Sequence, residues 1–171
     1  VVHDEDPPEL VGERVVDAHR RVGRHDPGVP VRHSHAAAVL AVRGRGIGRQ
    51  IALALAADER VVAVADLRAT EAADTVEAIT AAGGRALAIT MDVTNSDSVH
   101  QGLHAVIDEL GPVEILVNCA GWDELKPFLD TDEEFWDRII EINYKGVLRW
   151  THQILPGMIE RRWGRVVNIS G

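Results

Sequence analysis

The sequence holds 171 residues, 46% of them apolar, enough for one domain with a substantial core. Its 27 acidic residues outnumber 18 Lys and Arg, a formal net charge of −9, which argues against nucleic acid because phosphate neutralisation needs a concentrated basic patch. No apolar run approaches the ~20 residues of a membrane helix, no secretory leader is visible, and the single Cys119 can form no internal disulfide, which together point to the cytoplasm.

Residues 1–35 hold five of the eight His and four of the seven Pro, with scattered apolar positions, and read as an irregular, disordered leader. His33 and His35 lie at alternate positions, but no carboxylate or thiolate cluster joins them, so no metal site is predicted. From residue 36 to 171 the pattern becomes regular. Ala36–Val42, Val61–Asp66, Ala86–Asp92, Ile115–Asn118 and Arg165–Ser170 read as buried strands, because their apolar character is continuous and suits a parallel sheet covered on both faces.

Helical spacing fills the gaps between these strands. Gln50–Ala57 follows the first; Ala72, Val76 and Ile79 share a face after the second; Val99, Leu103, Val106, Ile107 and Leu110 do so after the third. Thr131-x-x-Glu134 has the form of a capping box opening a further helix with Phe135, Trp136, Ile139 and Ile140. Alternation of strand and helix with short links predicts an α/β fold with a doubly wound parallel sheet.

Gly44-Arg45-Gly46-Ile47-Gly48 lies between the first strand and the first helix. Glycine belongs where main-chain N–H groups must approach a pyrophosphate, and the helix N-terminus behind it favours the anion. Asp66 closes the second strand, 18 residues past Gly48, where a carboxylate accepts hydrogen bonds from the ribose of NAD and repels the 2′-phosphate of NADP. Arg45 and Arg68 are nearby cations that would tolerate such a phosphate. A loop and acid of this kind also serve methyltransferases that bind S-adenosylmethionine, so up to Asp66 both readings stand.

The second half carries four further motifs in order: Asp92-Val93 after the third strand, Asn118-Cys119-Ala120-Gly121 after the fourth, Ile142-Asn143-Tyr144-Lys145-Gly146, and Gly164-Arg165-Val166-Val167-Asn168-Ile169-Ser170. From about Val39 to Gly171 the chain resembles the N-terminal portion of the short-chain dehydrogenase/reductase family, and the methyltransferase reading falls behind. The resemblance implies a Rossmann fold, an NAD-linked oxidoreductase acting on a small alcohol or ketone, and a homo-oligomer joined through the long helix around Asn143. It assigns the cofactor to Gly44, Arg45, Gly46, Ile47, Gly48, Asp66 with Leu67, Asp92, Val93, Asn118, Ala120 and Gly121. It also gives Asn143 a catalytic role, holding a water of the proton relay on its main-chain carbonyl.

Small side chains at Ala120 and Gly121 let the main chain lie against a ribose, and Asn118 can tie strand ends together. Cys119, where the family has a second Asn, reads as a buried small residue. Trp122 follows the loop and can line a pocket or pack. Trp136, Trp150 and Trp163 read as core or interface, and His100 with His104 as a solvated helix face. Gly121–Phe128 and Leu155–Arg162 look most like 2-hydroxycyclohexanecarboxyl-CoA dehydrogenases and 3-oxoacyl reductases, which suggests a hydroxyacyl thioester substrate.

Two departures stand out. The family's Tyr-x-x-x-Lys is absent, since the only tyrosine, Tyr144, is followed four residues later by Leu148, and Gly171 falls about where the catalytic Ser is expected. The glycine loop either places Ala41 and Val42 at the family's Thr and first Gly or is two residues short. The reading is therefore of a C-terminally truncated chain, inactive alone, with an exposed fifth strand, marginal stability and a tendency to associate.

Overall fold

Five parallel strands in the order β3-β2-β1-β4-β5 form the central sheet of the computed structural model. The structure describes residues 37–41 and 46–170. The predicted leader, His33 and His35, Val42, Gly44, Arg45 and Gly171 lie outside the described residues.

The elements run β1 (Ala37–Ala41), α1 (Ile47–Ala57), β2 (Val62–Asp66), α2 (Ala69–Ala81), β3 (Ala86–Thr90), α3 (Ser96–Leu110), β4 (Val113–Asn118), α4 (Glu133–Ile139), a π-turn (Ile140–Lys145), α5 (Gly146–Glu160) and β5 (Arg165–Asn168). β1 pairs with both β2 and β4, so the chain reverses its direction of winding between these strands. Such a switch leaves a crevice at the carboxyl ends of the strands.

Strand β2 shows why continuous apolar runs belong here. Val62 and Val64 pack with Ala52, Ala72 and Ile79 of α1 and α2 on one face. Ala63 and Ala65 pack on the other with Ile89, Met91 and α3 residues Val99, Leu103 and Val106, a cluster that also takes in Trp150, Ile154 and Met158 of α5. Every residue of β2 is buried. Strand β5, of similar composition, is exposed at all four positions and pairs only with β4 among the described residues.

Strand ends differ from the expected bounds by one or two residues: β3 and β5 end two residues early, and β4 starts at Val113, two residues before Ile115. The capping box is corrected more substantively. The N-cap of α4 is Asp132, whose Oδ1 accepts from the Phe135 N–H at 2.9 Å. Thr131 lies one residue outside the helix, its hydroxyl donating to the Phe128 carbonyl at 2.7 Å and accepting from Trp136 Nε1 at 2.8 Å.

Of the other aromatic and imidazole residues, Trp150 is wholly buried, whereas Trp136 and Trp163 are exposed. His100 and His104 sit edge to face on the exposed side of α3, 4.4 Å between centroids. No group of three metal-ligating side chains occurs among the described residues, and none of their helices is long and apolar enough to cross a membrane.

Candidate functional site

Parallel strands deliver their carboxyl ends to one edge of the sheet, so residues just past β2, β3 and β4 must meet there. At the end of β2 the Asp66 carboxylate is buried and accepts the Arg68 N–H at 2.8 Å. The Asp66 carbonyl accepts the Met91 N–H at 2.9 Å, which carries the β2–β3 ladder to the edge. Asp92 then turns the chain: its Oδ1 accepts from both the N–H and the hydroxyl of Thr94, at 2.8 and 2.7 Å. This local turn leads into Asn95, whose side chain caps α3 by accepting from the N–H groups of Asp97 and Ser98.

Strand β4 ends at the buried Asn118, whose Nδ2 donates to Asn168 Oδ1 at 2.9 Å and to Thr151 Oγ1 at 3.4 Å. The side chain thus joins the ends of β4 and β5 and the flank of α5. Its Oδ1 is buried without a hydrogen-bond partner. Next to it Cys119 is half-buried rather than buried, and that partial burial pushes its thiol above its ordinary range, which disfavours the thiolate.

A cleft of about 630 Å³ opens at this edge, and Asp66, Leu67, Asp92, Val93, Ala120 and Gly121 all line it. Arg68, Trp122, Arg138 and Glu141 line it as well. Gly46, Ile47 and Gly48 stand apart from that lining, at the start of α1, where Gly46 adopts φ 69°, a left-handed conformation that glycine takes without strain. Ile47 is exposed and Gly48 buried. A second cavity, about 570 Å³, lies at the opposite end of β2 and β3 beside Glu59, Arg60 and Arg85 and holds none of the sequence motifs.

The π-turn forms the wall facing the strands. Asn143 does not line the cleft; its side-chain amide grips the main chain of Trp122 instead, Oδ1 accepting from the N–H at 2.7 Å and Nδ2 donating to the carbonyl at 2.8 Å. The Trp122 ring packs against two neighbours, with Phe135 edge to face at 5.4 Å and the Arg138 guanidinium 4.0 Å from its centroid. Lys145 and Arg149 both donate to the Glu141 carboxylate, which they hold below the usual glutamate range.

Sequence reasoning missed Arg138 and Glu141, and missed the side-chain function of Asn143. A bond between residues 21 positions apart leaves no local spacing to read.

The short chain dehydrogenase family profile matches residues 36–171. The acetoacetyl-CoA reductase of Allochromatium vinosum is 37% identical over 128 residues, which are 73% of this chain and 52% of that protein. The short-chain reductase protein NovJ of Streptomyces niveus is 35% identical over 127 residues, 74% of this chain and 48% of that one. Among solved structures, a 3-oxoacyl-[acyl-carrier protein] reductase from Brucella melitensis superposes with a TM-score of 0.73 at 29% identity, covering 81% of this chain and 53% of its own. The chain spans about half the length of the curated relatives it matches.

Proposed function

The chain belongs to the short-chain dehydrogenase family, and on that premise we propose that its cleft holds the adenosine end of NAD, as part of an oxidoreductase acting on a small alcohol or ketone. The observation that carries this reading is the buried carboxylate of Asp66 at the carboxyl end of β2, beside the cleft shared by Asp92, Val93, Ala120 and Gly121. A carboxylate there accepts from ribose hydroxyls and repels a 2′-phosphate. Arg68, one of the two cations that would offset that repulsion, directs its guanidinium to Glu71 at 3.3 Å.

The residues present fit a dinucleotide. The cleft is roomy enough for an adenosine, and Gly46 begins α1 with no side chain between the main chain and an approaching phosphate. Bound NAD would supply hydride acceptance or donation. In this reading Asp66 and Leu67 hold the ribose, Asp92 and Val93 the adenine, and Ala120 and Gly121 keep the main chain close to the second ribose. Gly44, Arg45, Gly46, Ile47 and Gly48 are assigned to the pyrophosphate, and Asn118 fixes the strand end from which the Ala120–Gly121 segment leaves. Asn143 holds the main chain of Trp122 with its amide, and its own main-chain carbonyl is assigned the relay water.

A hydride transfer to a carbonyl also needs a proton partner. Tyr144 has Leu148 four residues on rather than a lysine, so the chain alone is proposed to bind NAD without turning over substrate. Relatives named acetoacetyl-CoA reductase and 3-oxoacyl reductase favour a hydroxyacyl thioester as substrate. Ile140, Tyr144, Leu148, Leu155 and Ile159 are exposed along the π-turn and α5 and supply an apolar surface for a homo-oligomer.

Titration of the purified chain with NADH and NADPH tests the cofactor assignment. NADH should bind at least about tenfold more tightly, and Asp66→Ala should remove most of that advantage, since a hydrogen bond to a charged group contributes roughly 1.5–3 kcal/mol. Tighter binding of NADPH by the unaltered chain would overturn it.

A further inference from the structure

We propose that Arg149 is a positioning residue for the adenine side of the cleft, acting through the main chain of Val93 and the carboxylate of Glu141. The inference rests on the dinucleotide reading above. Val93 and Glu141 line the cleft, whereas Arg149 does not. Arg149 reaches both from behind: Nη1 donates to the Val93 carbonyl at 3.2 Å, and Nη2 pairs with Glu141 Oε1. Nη1 also lies 3.5 Å from the Glu141 carbonyl. The Arg149 side chain is 20% exposed and that of Glu141 31%, so these contacts are only partly open to water.

The same turn of α5 touches Val93 a second time. A Cβ on Gly146 would come within 3.1 Å of Val93 Cβ and Cγ2, so the helix lies against the side chain of Val93 while Arg149 holds its carbonyl. From the preceding π-turn, Asn143 holds the main-chain N–H and carbonyl of Trp122 on the other side of the opening. One continuous segment, residues 141–149, therefore grips the chain that follows β3 and the chain that follows β4. Arg149 is its only side-chain tie to the first of them among the described residues, because Asn143 addresses only Trp122.

Arginine suits the position for a geometric reason. Its planar fork can donate to a carbonyl and a carboxylate at once, whereas a lysine ammonium at the end of a flexible stem gives up one of the two or shares itself between them. Without the tie, the Val93 loop keeps its local turn at Asp92 and Thr94 but loses its fixed distance from the π-turn, and that distance sets the width of the adenine slot.

The test uses calorimetric titration of the full chain with ADP-ribose, which carries the adenine end of the dinucleotide and no nicotinamide. Arg149→Met keeps the apolar stem and removes the donors; it should weaken ADP-ribose binding by about tenfold, the scale of one charge-assisted hydrogen bond. Arg149→Lys should recover part of the loss, a graded rescue that general loosening of the helix would not produce. Unchanged affinity in folded Arg149→Met, or Arg149→Lys binding no better than Arg149→Met, overturns the proposal. Should Arg149→Met fail to fold, Glu141→Gln decides: about threefold weaker binding supports the tie, and unchanged binding overturns it. If the unaltered chain binds neither ADP-ribose nor NADH, the dinucleotide reading itself falls, an outcome distinct from any variant effect.

Discussion

Strands β2 and β5 are both short and each carries two valines, yet among the strands whose burial is described one is buried throughout and the other exposed throughout. Val62 and Val64 are fully buried, with α1 and α2 on one face of their strand and α3 on the other. Val166 and Val167 are 38% and 42% exposed, at the edge of the sheet. Apolar composition therefore marks a segment as a strand, while its burial is decided by which helices return to cover it. The β2–β3 half carries Asp66 and Asp92 beside a strand that is buried throughout, and the β4–β5 half ends on a strand that is exposed throughout.

The same substitution in each strand gives the sharpest contrast. Val64→Ala should cost about 2 kcal/mol in denaturant unfolding, since two buried carbons are lost and a cavity remains. Val167→Ala should change stability by less than about 0.5 kcal/mol, as for other exposed positions. Equal costs would mean that β5 is covered after all, for instance by a second copy. A smaller effect concerns association. An exposed apolar edge strand invites pairing, so the chain should show concentration-dependent sedimentation, and Val167→Lys should shift it towards the monomer. No shift would place the sticky surface elsewhere, with the α5 stripe the next to alter.

The smallest effect is electrostatic and belongs to the π-turn. The Glu141 carboxyl lies below the usual glutamate range, chiefly because Lys145 and then Arg149 donate hydrogen bonds to it. A depressed folded-state value means that the stabilisation is present above the unfolded-state value and is lost as pH falls through the folded one. Stability from this group should thus be constant from neutral to mildly acidic pH and decline only below the ordinary glutamate range. The difference in unfolding midpoint between Glu141→Gln and the unaltered chain should shrink over that acidic window. A difference that persists at the acid end would assign the effect to packing instead.

Much of the site could be anticipated because of topology. Asp66, Asp92, Val93, Ala120 and Gly121 were legible for one reason: each ends a strand or follows one within three residues, and parallel strands bring such positions to one edge. Arg138, Glu141 and Arg149 were not, since they come from helices whose contacts with the strand ends span up to 56 residues of sequence. The cap of α4 was misplaced for a different reason. Thr131 and Asp132 are both good capping residues, and the capping-box spacing selected the first, whereas the helix starts after the second. The family relationship extended the reading to residues that spacing alone would leave ambiguous between two cofactors.

The grip of Asn143 on Trp122 has a consequence for what can replace it. A carboxamide that accepts the N–H and donates to the carbonyl of one residue reproduces what a neighbouring strand would offer, compressed into a single side chain. Aspartate is almost the same size, but it would set a carboxylate against the Trp122 carbonyl, turning an attraction into a repulsion. Glutamine has the right chemistry and one methylene too many. The position thus behaves as a miniature edge strand written in one letter, and the chain that leaves β4 keeps its course only while that letter is asparagine.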